Sequence, residues 1–487
     1  MHAGNGGKGA GHMAYYDAFE TFGDRIAARE DNGQTATYED LARFCDRLGK
    51  TLPVRTLVFC FCENTIGSMF GYLAFLKNRV VPLLLDNHIH RDLAEQLTAA
   101  YRPAYVYAPL DRRKEFPGDS CIFEAYGYGL FRTGFPEDIP LYEDLALLLT
   151  TSGSTGSPKL VRQSYRNIQA NAESIAEYLK LDETERPITT LRMNYTYGLS
   201  IINSHVLVGA QILLTNTTLW EKKFWEFFEN ARATSFGGVP YTYEMLKKLR
   251  FFRMKLPSLR TMTQAGGKLV PELHKEFAEY AQKEGKQFIV MYGQTEATAR
   301  MGYLPAEKSL EKYGSMGIAI PGGHFTLIDV NGEPVTEPDV VGELVYEGPN
   351  VTLGYATAQE DLTKGDERNG RLVTGDMAKM DADGFYYIVG RKKRFLKIYG
   401  NRVNLDETER MVKRRFEELD CACSGVDDHM EVYITSPKEE DREAVEMFLR
   451  EQTRLQGKAF TVYSIEKIPK NEAGKTLYKE LKPNGRE

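Results

Sequence analysis

Cysteine is scarce in this chain, with six cysteines in 487 residues. Small extracellular domains that are held together by disulfides carry a much higher density, so we expect free thiols and a reducing, cytoplasmic compartment. Long apolar runs are missing too. No stretch approaches the roughly 18 consecutive apolar residues of a membrane-spanning helix, so no membrane span is expected.

A large charge excess of either sign is also absent. The 62 Lys and Arg residues nearly balance the 68 Asp and Glu residues, for a net charge of −6. Proteins whose surface is built for nucleic acid are usually basic, so we expect no nucleic-acid partner. A hydrophobic share of 42% excludes wholesale disorder, and the length predicts more than one domain.

Short apolar runs alternate with helical patterns from residue 38 onward. The runs at 56–62, 80–85 and 145–149 are apolar on both faces, which is typical of buried strands in a mostly parallel sheet. Residues 163–181 have apolar positions at helical spacing and predict an amphipathic helix. Beyond residue 320, the turn sequences DVNGEP and DADG indicate antiparallel hairpins.

The third apolar run leads directly into the sequence TTSGSTGSPK at residues 150–159. Glycines let backbone N–H groups turn inward, hydroxyls add donors, and a lysine supplies positive charge. We therefore predict a cradle for a polyphosphate, formed by Thr151, Ser152, Gly153, Ser154, Thr155 and Gly156 and closed by Lys159. The spacing differs from that of a Walker A loop.

Three further strings follow in order: MYGQTEAT at 291–298, a segment at 373–394 that begins VTGD, and PKNEAGKTLYKEL at 469–481. With the glycine-rich loop, they resemble the motifs of the adenylate-forming superfamily of acyl- and aryl-CoA synthetases, nonribosomal-peptide adenylation domains and luciferases. The resemblance runs from TYEDL at residues 37–41 to Lys475.

This resemblance implies an α/β fold in two domains. Residues 14–392 would form a large N-terminal domain of layered α/β subdomains with a small antiparallel β subdomain, and residues 393–487 a small, mobile α+β C-terminal domain. Lys393 would be the hinge for domain alternation. We expect the glycine-rich residues 1–13 to be a tag remnant or disordered.

The resemblance also implies the cofactors ATP and Mg²⁺. Tyr292 would stack on adenine beside a turn formed by Gly266, Gly267 and Lys268. Asp376 would accept hydrogen bonds from the ribose hydroxyls, and Arg391 would contact the nucleotide. The catalytic group would consist of Lys159, Thr295 on the α-phosphate, Glu296 as the Mg²⁺ ligand and Lys475, which would bridge the carboxylate and the phosphates.

A carboxylic acid is the implied substrate, and its pocket would be formed by Tyr195, Thr196, Tyr197, Ser200, Phe236, Tyr241, Gly266, Met291 and Met301. Family members that act on α-amino acids have an aspartate in the first of these segments. The corresponding MNYTYGLS at 193–200 has no acid, and an unpaired buried ammonium would be costly. We therefore expect an aryl or acyl acid.

The predicted function is that of an AMP-forming ligase. It would convert the acid and ATP to an acyl-adenylate and pyrophosphate, then transfer the acyl group to a thiol, either CoA or the phosphopantetheine of a carrier protein acting in trans. Gly400 would line the pantetheine tunnel. The alternatives are an amino-acid-adenylating domain, a phosphotransferase and a non-catalytic nucleotide-binding module.

A cluster of Arg391, Lys392, Arg394, Lys413, Arg414 and Arg415 predicts a basic docking face for the thiol partner.

Overall fold

The computed structural model describes residues 13–117, 120–150, 159–398, 401–453, 455, 457–470 and 476–482. Among these residues, no helix combines the length and the apolar character needed to cross a membrane.

The α-helices of the described residues are, in chain order, α1 (Tyr38–Gly49), α2 (Ile66–Lys77), α3 (Arg91–Tyr101), α4 (Tyr165–Leu179), α5 (Thr196–Leu207), α6 (Lys222–Asn230), α7 (Pro240–Lys248), α8 (Pro271–Lys283), α9 (Leu405–Arg415) and α10 (Glu439–Thr453).

The strands begin with β1 (Ile26–Glu30), β2 (Thr35–Thr37), β3 (Leu57–Cys62), β4 (Val81–Asp86), β5 (Tyr105–Pro109), β6 (Cys121–Ala125), β7 (Tyr128–Arg132), β8 (Leu145–Thr150), β9 (Leu160–Ser164), β10 (Pro187–Ile188), β11 (Ile212–Leu214), β12 (Ser235–Gly238), β13 (Thr261–Gln264), β14 (Gln287–Tyr292) and β15 (Gly302–Tyr303). They continue with β16 (Ile318–Ala319), β17 (His324–Ile328), β18 (Pro334–Val335), β19 (Gly342–Glu347), β20 (Gly354–Ala356), β21 (Arg371–Met380), β22 (Tyr386–Arg391), β23 (Phe395–Ile398), β24 (Asn401–Asn404), β25 (Cys421–Val426), β26 (His429–Ile434) and β27 (Phe460–Ser464).

The chain divides into two compact units, the first of which comprises Met1–Tyr313, Ala319–His324 and Glu347–Leu372. This unit contains two large sheets. One runs β15-β14-β13-β12-β10-β11-β1-β2, and the other runs β20-β9-β8-β4-β3-β5-β7-β6. Their central strands are parallel, as the apolar runs predicted: β3 pairs with β4 and β5, and β4 pairs with β8.

Strand β3 shows why these runs are apolar on both faces. Val58, Cys60 and Cys62 point into one core cluster, which also contains residues of α2, α4 and α5. Leu57 and Phe59 point into a second cluster with Leu97 of α3. Successive side chains of a strand alternate between faces, so a strand covered by helices on both sides needs apolar residues at every position.

Helix α4 begins where the sequence predicts an amphipathic helix. Ser164 and Asn167 form a reciprocal capping box that satisfies backbone N–H groups of the first turn. Ile168, Ala172 and Ile175 are buried on one face of the helix, as the apolar spacing predicted.

The second unit comprises Gly314–Ile318, Phe325–Tyr346 and Val373–Glu487. It holds a sheet in the order β18-β17-β19-β21-β22, whose hairpins include the predicted turns, and a smaller sheet β25-β26-β27. Residues of α9 and α10 share a core with the smaller sheet. The predicted α/β class, with a layered N-terminal part and a smaller α+β C-terminal part, is confirmed. The domain boundary at Lys393 stays a prediction.

Arg162 is a fully buried charged residue of the first unit. It lies in β9, and its side chain has no exposed surface. The guanidinium donates to the carbonyl oxygens of Tyr355, Leu353 and Lys364 and forms an ion pair with Glu367. Because all these partners come from residues 353–367, this one side chain fastens that segment to β9.

We predict that Arg162→Met lowers the thermal unfolding midpoint by several degrees. The substitution leaves the carbonyl oxygens of Tyr355, Leu353 and Lys364 without this donor, and each unsatisfied buried polar group costs about 1–3 kcal/mol. It also removes an ion-pair partner of the half-exposed Glu367. The control is Arg166→Met, because Arg166 is exposed in α4. Differential scanning calorimetry of both variants is the measurement, and equal midpoints would show that Arg162 does not hold the segment in place.

Candidate active site

The predicted phosphate loop begins at the C-terminal end of β8 and ends immediately before β9. The strands on either side of it, β8 and β9, are antiparallel neighbours and are buried in the sheet. Eight predicted site residues lie outside the described residues: Thr151, Ser152, Gly153, Ser154, Thr155, Gly156, Gly400 and Lys475. Their roles stay predictions.

Lys159 and Glu296 are brought together by a residue that the sequence reasoning missed, Tyr355 of β20. The Lys159 ammonium lies 3.4 Å from the centroid of the Tyr355 ring, in cation–π contact. The Tyr355 hydroxyl donates to Glu296 Oε1 over 2.7 Å. Burial and, to a smaller extent, the Glu296 carboxylate raise the pKa of Tyr355 to about 12, so the phenol stays protonated and remains a donor at neutral pH.

The backbone of Glu296 is fixed as firmly as its side chain. Its carbonyl oxygen accepts hydrogen bonds from Arg368 Nη1 at 3.0 Å and from Thr352 Oγ1 at 2.9 Å. The Arg368 guanidinium also lies 4.6 Å from the Tyr355 ring centroid. Both partners come from the segment that follows Asn350, so this segment positions the carboxylate from two sides.

The donor set around Glu296 fits Mg²⁺. The Tyr355 hydroxyl is hydrogen-bonded to one oxygen of the Glu296 carboxylate, Oε1. Carboxylate oxygens are the ligands that Mg²⁺ prefers. No group of three or more His, Cys, Asp or Glu side chains among the described residues could hold a metal ion by itself. A single carboxylate suits Mg²⁺, which usually keeps several waters and binds substrate phosphates rather than a cage of protein ligands.

The turn that carries Glu296 is strained. Thr298 and Ala299 have φ values of 54° and 97°, in the left-handed region that residues with a side chain rarely adopt. A Cβ atom on Gly293 would lie 1.5 Å from the carbonyl oxygen of Ala299, so only glycine fits there. Asn350 Nδ2 holds the turn by donating to the carbonyl oxygens of Ala297 and Arg300, each over 2.8 Å.

The predicted adenine-binding turn follows β13. Gly266 has φ +85°, and a Cβ atom there would lie 2.6 Å from the Tyr195 hydroxyl. Gly267 and Lys268 are exposed, while Tyr292 is half-buried at the end of β14. The structure thus brings this turn next to Tyr195 of the predicted acid pocket.

The predicted acid-pocket residues differ in environment. Tyr197 is buried, and its hydroxyl is already hydrogen-bonded to Thr263 at 2.8 Å, so it forms a wall of the site. Ser200 and Met291 are buried, and both contact the guanidinium of Arg300. Arg300 is a second residue that the sequence reasoning did not single out, although it immediately precedes the predicted pocket residue Met301.

The remaining pocket predictions are less closely grouped. Phe236 packs in an aromatic cluster, with its ring centroid 6.0 Å from that of Phe251. Tyr241 is 49% exposed, Thr196 is half-buried at the start of α5, and Met301 is fully buried. The structure therefore brings Tyr195, Tyr197, Ser200 and Met291 together. Phe236 lines a small cavity with Arg300, whereas Tyr241 is exposed.

In the second unit, Asp376 lies in β21 and is 3% exposed. Arg391 Nε lies 2.6 Å from Asp376 Oδ1 across the paired strands β21 and β22. The two residues assigned to the nucleotide are therefore direct partners in this unit. Lys393, the predicted hinge, is exposed in the 3₁₀ turn Lys392–Arg394.

The predicted basic docking face is largely neutralised. Arg391 pairs with Asp376, Lys392 with Glu343, Arg394 with Asp406 and Glu409, and Lys413 with Asp420. These four cations have acidic partners, which lowers the net positive charge of the predicted face, and its role in docking the thiol partner stays a prediction.

The sequence of this chain is similar to those of known AMP-binding enzymes. The family model of the AMP-binding enzyme matches residues 16–356. The 2-succinylbenzoate–CoA ligase of Geobacillus kaustophilus is 28% identical over 349 residues, which cover 70% of this chain and 69% of that protein. The feruloyl-CoA synthase of an Amycolatopsis species is 27% identical over 356 residues, 71% of each chain.

Solved structures share the fold. O-succinylbenzoate coenzyme A synthetase from Bacillus subtilis in complex with AMP has a TM-score of 0.76 at 20% identity, covering 96% of this chain and 98% of the other. ATP-bound MatB from Rhodopseudomonas palustris has a TM-score of 0.74 at 20% identity, with the same coverage of both chains. The family match over most of the chain confirms the predicted adenylate-forming family and its enzyme class, and the chain belongs to the AMP-binding enzyme family.

Proposed function

We propose that this enzyme joins a carboxylic acid to AMP, with release of pyrophosphate, and then transfers the acyl group to the thiol of CoA. The observation that carries the proposal is the assembly of Lys159, Tyr355 and Glu296 at the predicted phosphate loop. It supplies a cation and an oriented carboxylate where the family motifs place ATP.

The first step brings two anions together, since both the acid and the triphosphate are negatively charged. Lys159 contributes positive charge, and Thr295 contributes a hydroxyl donor toward the α-phosphate. Mg²⁺ held by Glu296 would neutralise phosphate charge. Tyr292 is proposed to stack on the adenine ring, and Asp376 to accept hydrogen bonds from the ribose hydroxyls.

The residues of the acid pocket support an acid without an α-ammonium group. The pocket side of α5 offers tyrosine, threonine and serine side chains and no carboxylate. The Arg300 guanidinium, which donates to Ser200 Oγ over 3.1 Å, adds a cation that would repel an ammonium. Relatives named for 2-succinylbenzoate and ferulate support an aryl or acyl acid.

CoA is the proposed thiol acceptor because the relatives are named as CoA ligases or synthases. The phosphopantetheine of a carrier protein is the second acceptor to be tested. A phosphotransferase would release ADP rather than pyrophosphate, and a non-catalytic module would release neither. Pyrophosphate release therefore separates the proposed function from these alternatives.

We predict that α-amino acids fail as substrates while their des-amino counterparts succeed. The assay follows ATP-dependent pyrophosphate release for matched pairs: phenylalanine with 3-phenylpropanoate, norleucine with hexanoate, and glutamate with glutarate. Thioester formation is then followed with CoA, with a phosphopantetheinylated carrier protein, and without a thiol. Activation of the amino acids alone would assign the chain to the amino-acid-adenylating class instead.

We predict that Glu296→Gln retains the fold and slows Mg²⁺-dependent pyrophosphate release by roughly 10²–10³-fold, the scale for losing one preorganised charged group. Tyr355→Phe keeps the carboxylate but frees Oε1, so it should raise the Mg²⁺ concentration needed for half-maximal rate by roughly 10-fold or more. The exposed Tyr313→Phe is the control. An unchanged Mg²⁺ requirement in both site variants would remove Glu296 as the metal ligand.

We predict that Lys475→Ala separates the two half-reactions. If Lys475 bridges the carboxylate and the phosphates, adenylate formation should slow by roughly 10²–10³-fold. Thioester formation from synthetic acyl-adenylate and CoA should keep nearly its original rate. Lys479→Ala is the control, because Lys479 is an exposed lysine of the same segment. Rapid-quench measurement of each half-reaction decides, and equal losses in both would assign Lys475 a structural role.

A further inference from the structure

Arg300 has a backbone that is held in a single position. Its carbonyl oxygen accepts hydrogen bonds from Asn171 Nδ2 at 3.0 Å and from Asn350 Nδ2 at 2.8 Å. The side chain is 1% exposed, which places it with Arg162 among the largest fully buried side chains of the described residues. A residue fixed in this way presents its guanidinium in a defined place.

The partners of this guanidinium are all neutral. Arg300 Nε donates to Ser200 Oγ over 3.1 Å, and Nη1 donates to the Tyr178 hydroxyl over 3.0 Å and to the Met291 sulfur. Its Cζ atom lies 4.6 Å from the centroid of the Tyr197 ring. Within the part of the chain that the structure describes, no carboxylate forms an ion pair with Arg300, whereas Arg162 has Glu367.

The acidic and titratable groups near Arg300 do not supply a counter-charge. Arg300 lines a small cavity together with His205 and Glu185. Burial lowers the pKa of His205 to about 4, so the imidazole is neutral at pH 7. The Glu185 carboxylate is occupied elsewhere, by Arg260 at 3.3 Å and by the Thr234 hydroxyl.

A buried cation without a counter-ion costs several kcal/mol, of which hydroxyl acceptors and aromatic faces recover only a part. An anion that enters the site would therefore bind a guanidinium that has already lost its water. Arginine suits this task because its planar donors match the two oxygens of a carboxylate. Three of its contacts, Tyr197, Ser200 and Met291, are residues of the predicted acid pocket.

We propose that Arg300 determines specificity by binding a second carboxylate of the acid substrate, so that dicarboxylic acids are preferred to monocarboxylic acids with the same skeleton. This inference rests on the proposed function and adds the substrate class. Tyr178 and Ser200, which contact the guanidinium, are its positioning residues.

The test compares kcat/KM for pyrophosphate release in matched pairs: hexanoate with hexanedioate, octanoate with octanedioate, and 4-phenylbutanoate with 4-(2-carboxyphenyl)butanoate. At least one dicarboxylate should exceed its partner by roughly 10–10²-fold, the scale of hydrogen bonds to a charged group. Arg300→Met should remove that preference by raising KM for the dicarboxylate, while KM for the monoacid changes little.

Two further variants keep the outcome interpretable. Arg300→Lys retains the positive charge but lacks the planar pair of N–H donors, so it should keep an intermediate preference for the dicarboxylate. This variant also tests the inference if Arg300→Met does not fold. Arg192→Met is the control, because Arg192 is a partly exposed arginine already paired with Asp86. It should leave the ratio between the two acids of each pair unchanged.

The outcomes separate this inference from the function on which it rests. Pyrophosphate release with monoacids, and no dicarboxylate preferred in any pair, keeps the function and overturns the role of Arg300. Equal losses for both acids in Arg300→Met would make the arginine structural and overturn the inference as well. No release with any acid overturns the proposed function, and this inference falls with it.

Discussion

The organisation of the site depends on the burial of one positive charge. Arg162 lies inside the sheet immediately after the predicted phosphate loop, and its acceptors among the described residues all lie within 353–367. One of these acceptors is the carbonyl oxygen of Tyr355, the residue whose ring lies against Lys159 and whose hydroxyl holds Glu296. The desolvated guanidinium thus fixes the backbone on which the contact between the loop lysine and the carboxylate depends.

Asn350, which lies just before this segment, supports the strained turn at Glu296. Asn350 donates to the carbonyl oxygens on both sides of the left-handed residues Thr298 and Ala299. Strain of this kind, of order 1–3 kcal/mol per residue, persists only where neighbouring contacts over-determine the backbone. The consequence is that Glu296 points toward Tyr355 while Arg300 points toward Ser200 and Met291, although only three residues separate them.

The sequence could predict what local patterns encode. Apolar runs predicted β3, β4 and β8, and the spacing of Ile168, Ala172 and Ile175 predicted α4. The motif at 291–298 predicted a site around Glu296. The sequence could not predict its partner Tyr355, 59 residues away, or Glu367, 205 residues from Arg162. Such pairs depend on tertiary packing and leave no periodic pattern in the sequence. For the same reason, the sequence could not predict that Glu343 pairs with Lys392 in the basic cluster.

Arg162 and Arg300 are both fully buried, but burial of the first serves stability, whereas burial of the second is proposed to serve substrate recognition. Arg162 has its counter-charge in the same chain, so its desolvation is balanced once the protein has folded. Arg300 has neutral partners in the described structure, so the free-energy cost of removing its water is met during folding and is not offset by a counter-charge. Because that cost precedes binding, an arriving anion meets an oriented and dehydrated donor and loses only its own hydration. The proposed selectivity for a second carboxylate therefore follows from the positive charge of Arg300, for which the described fold supplies no counter-charge.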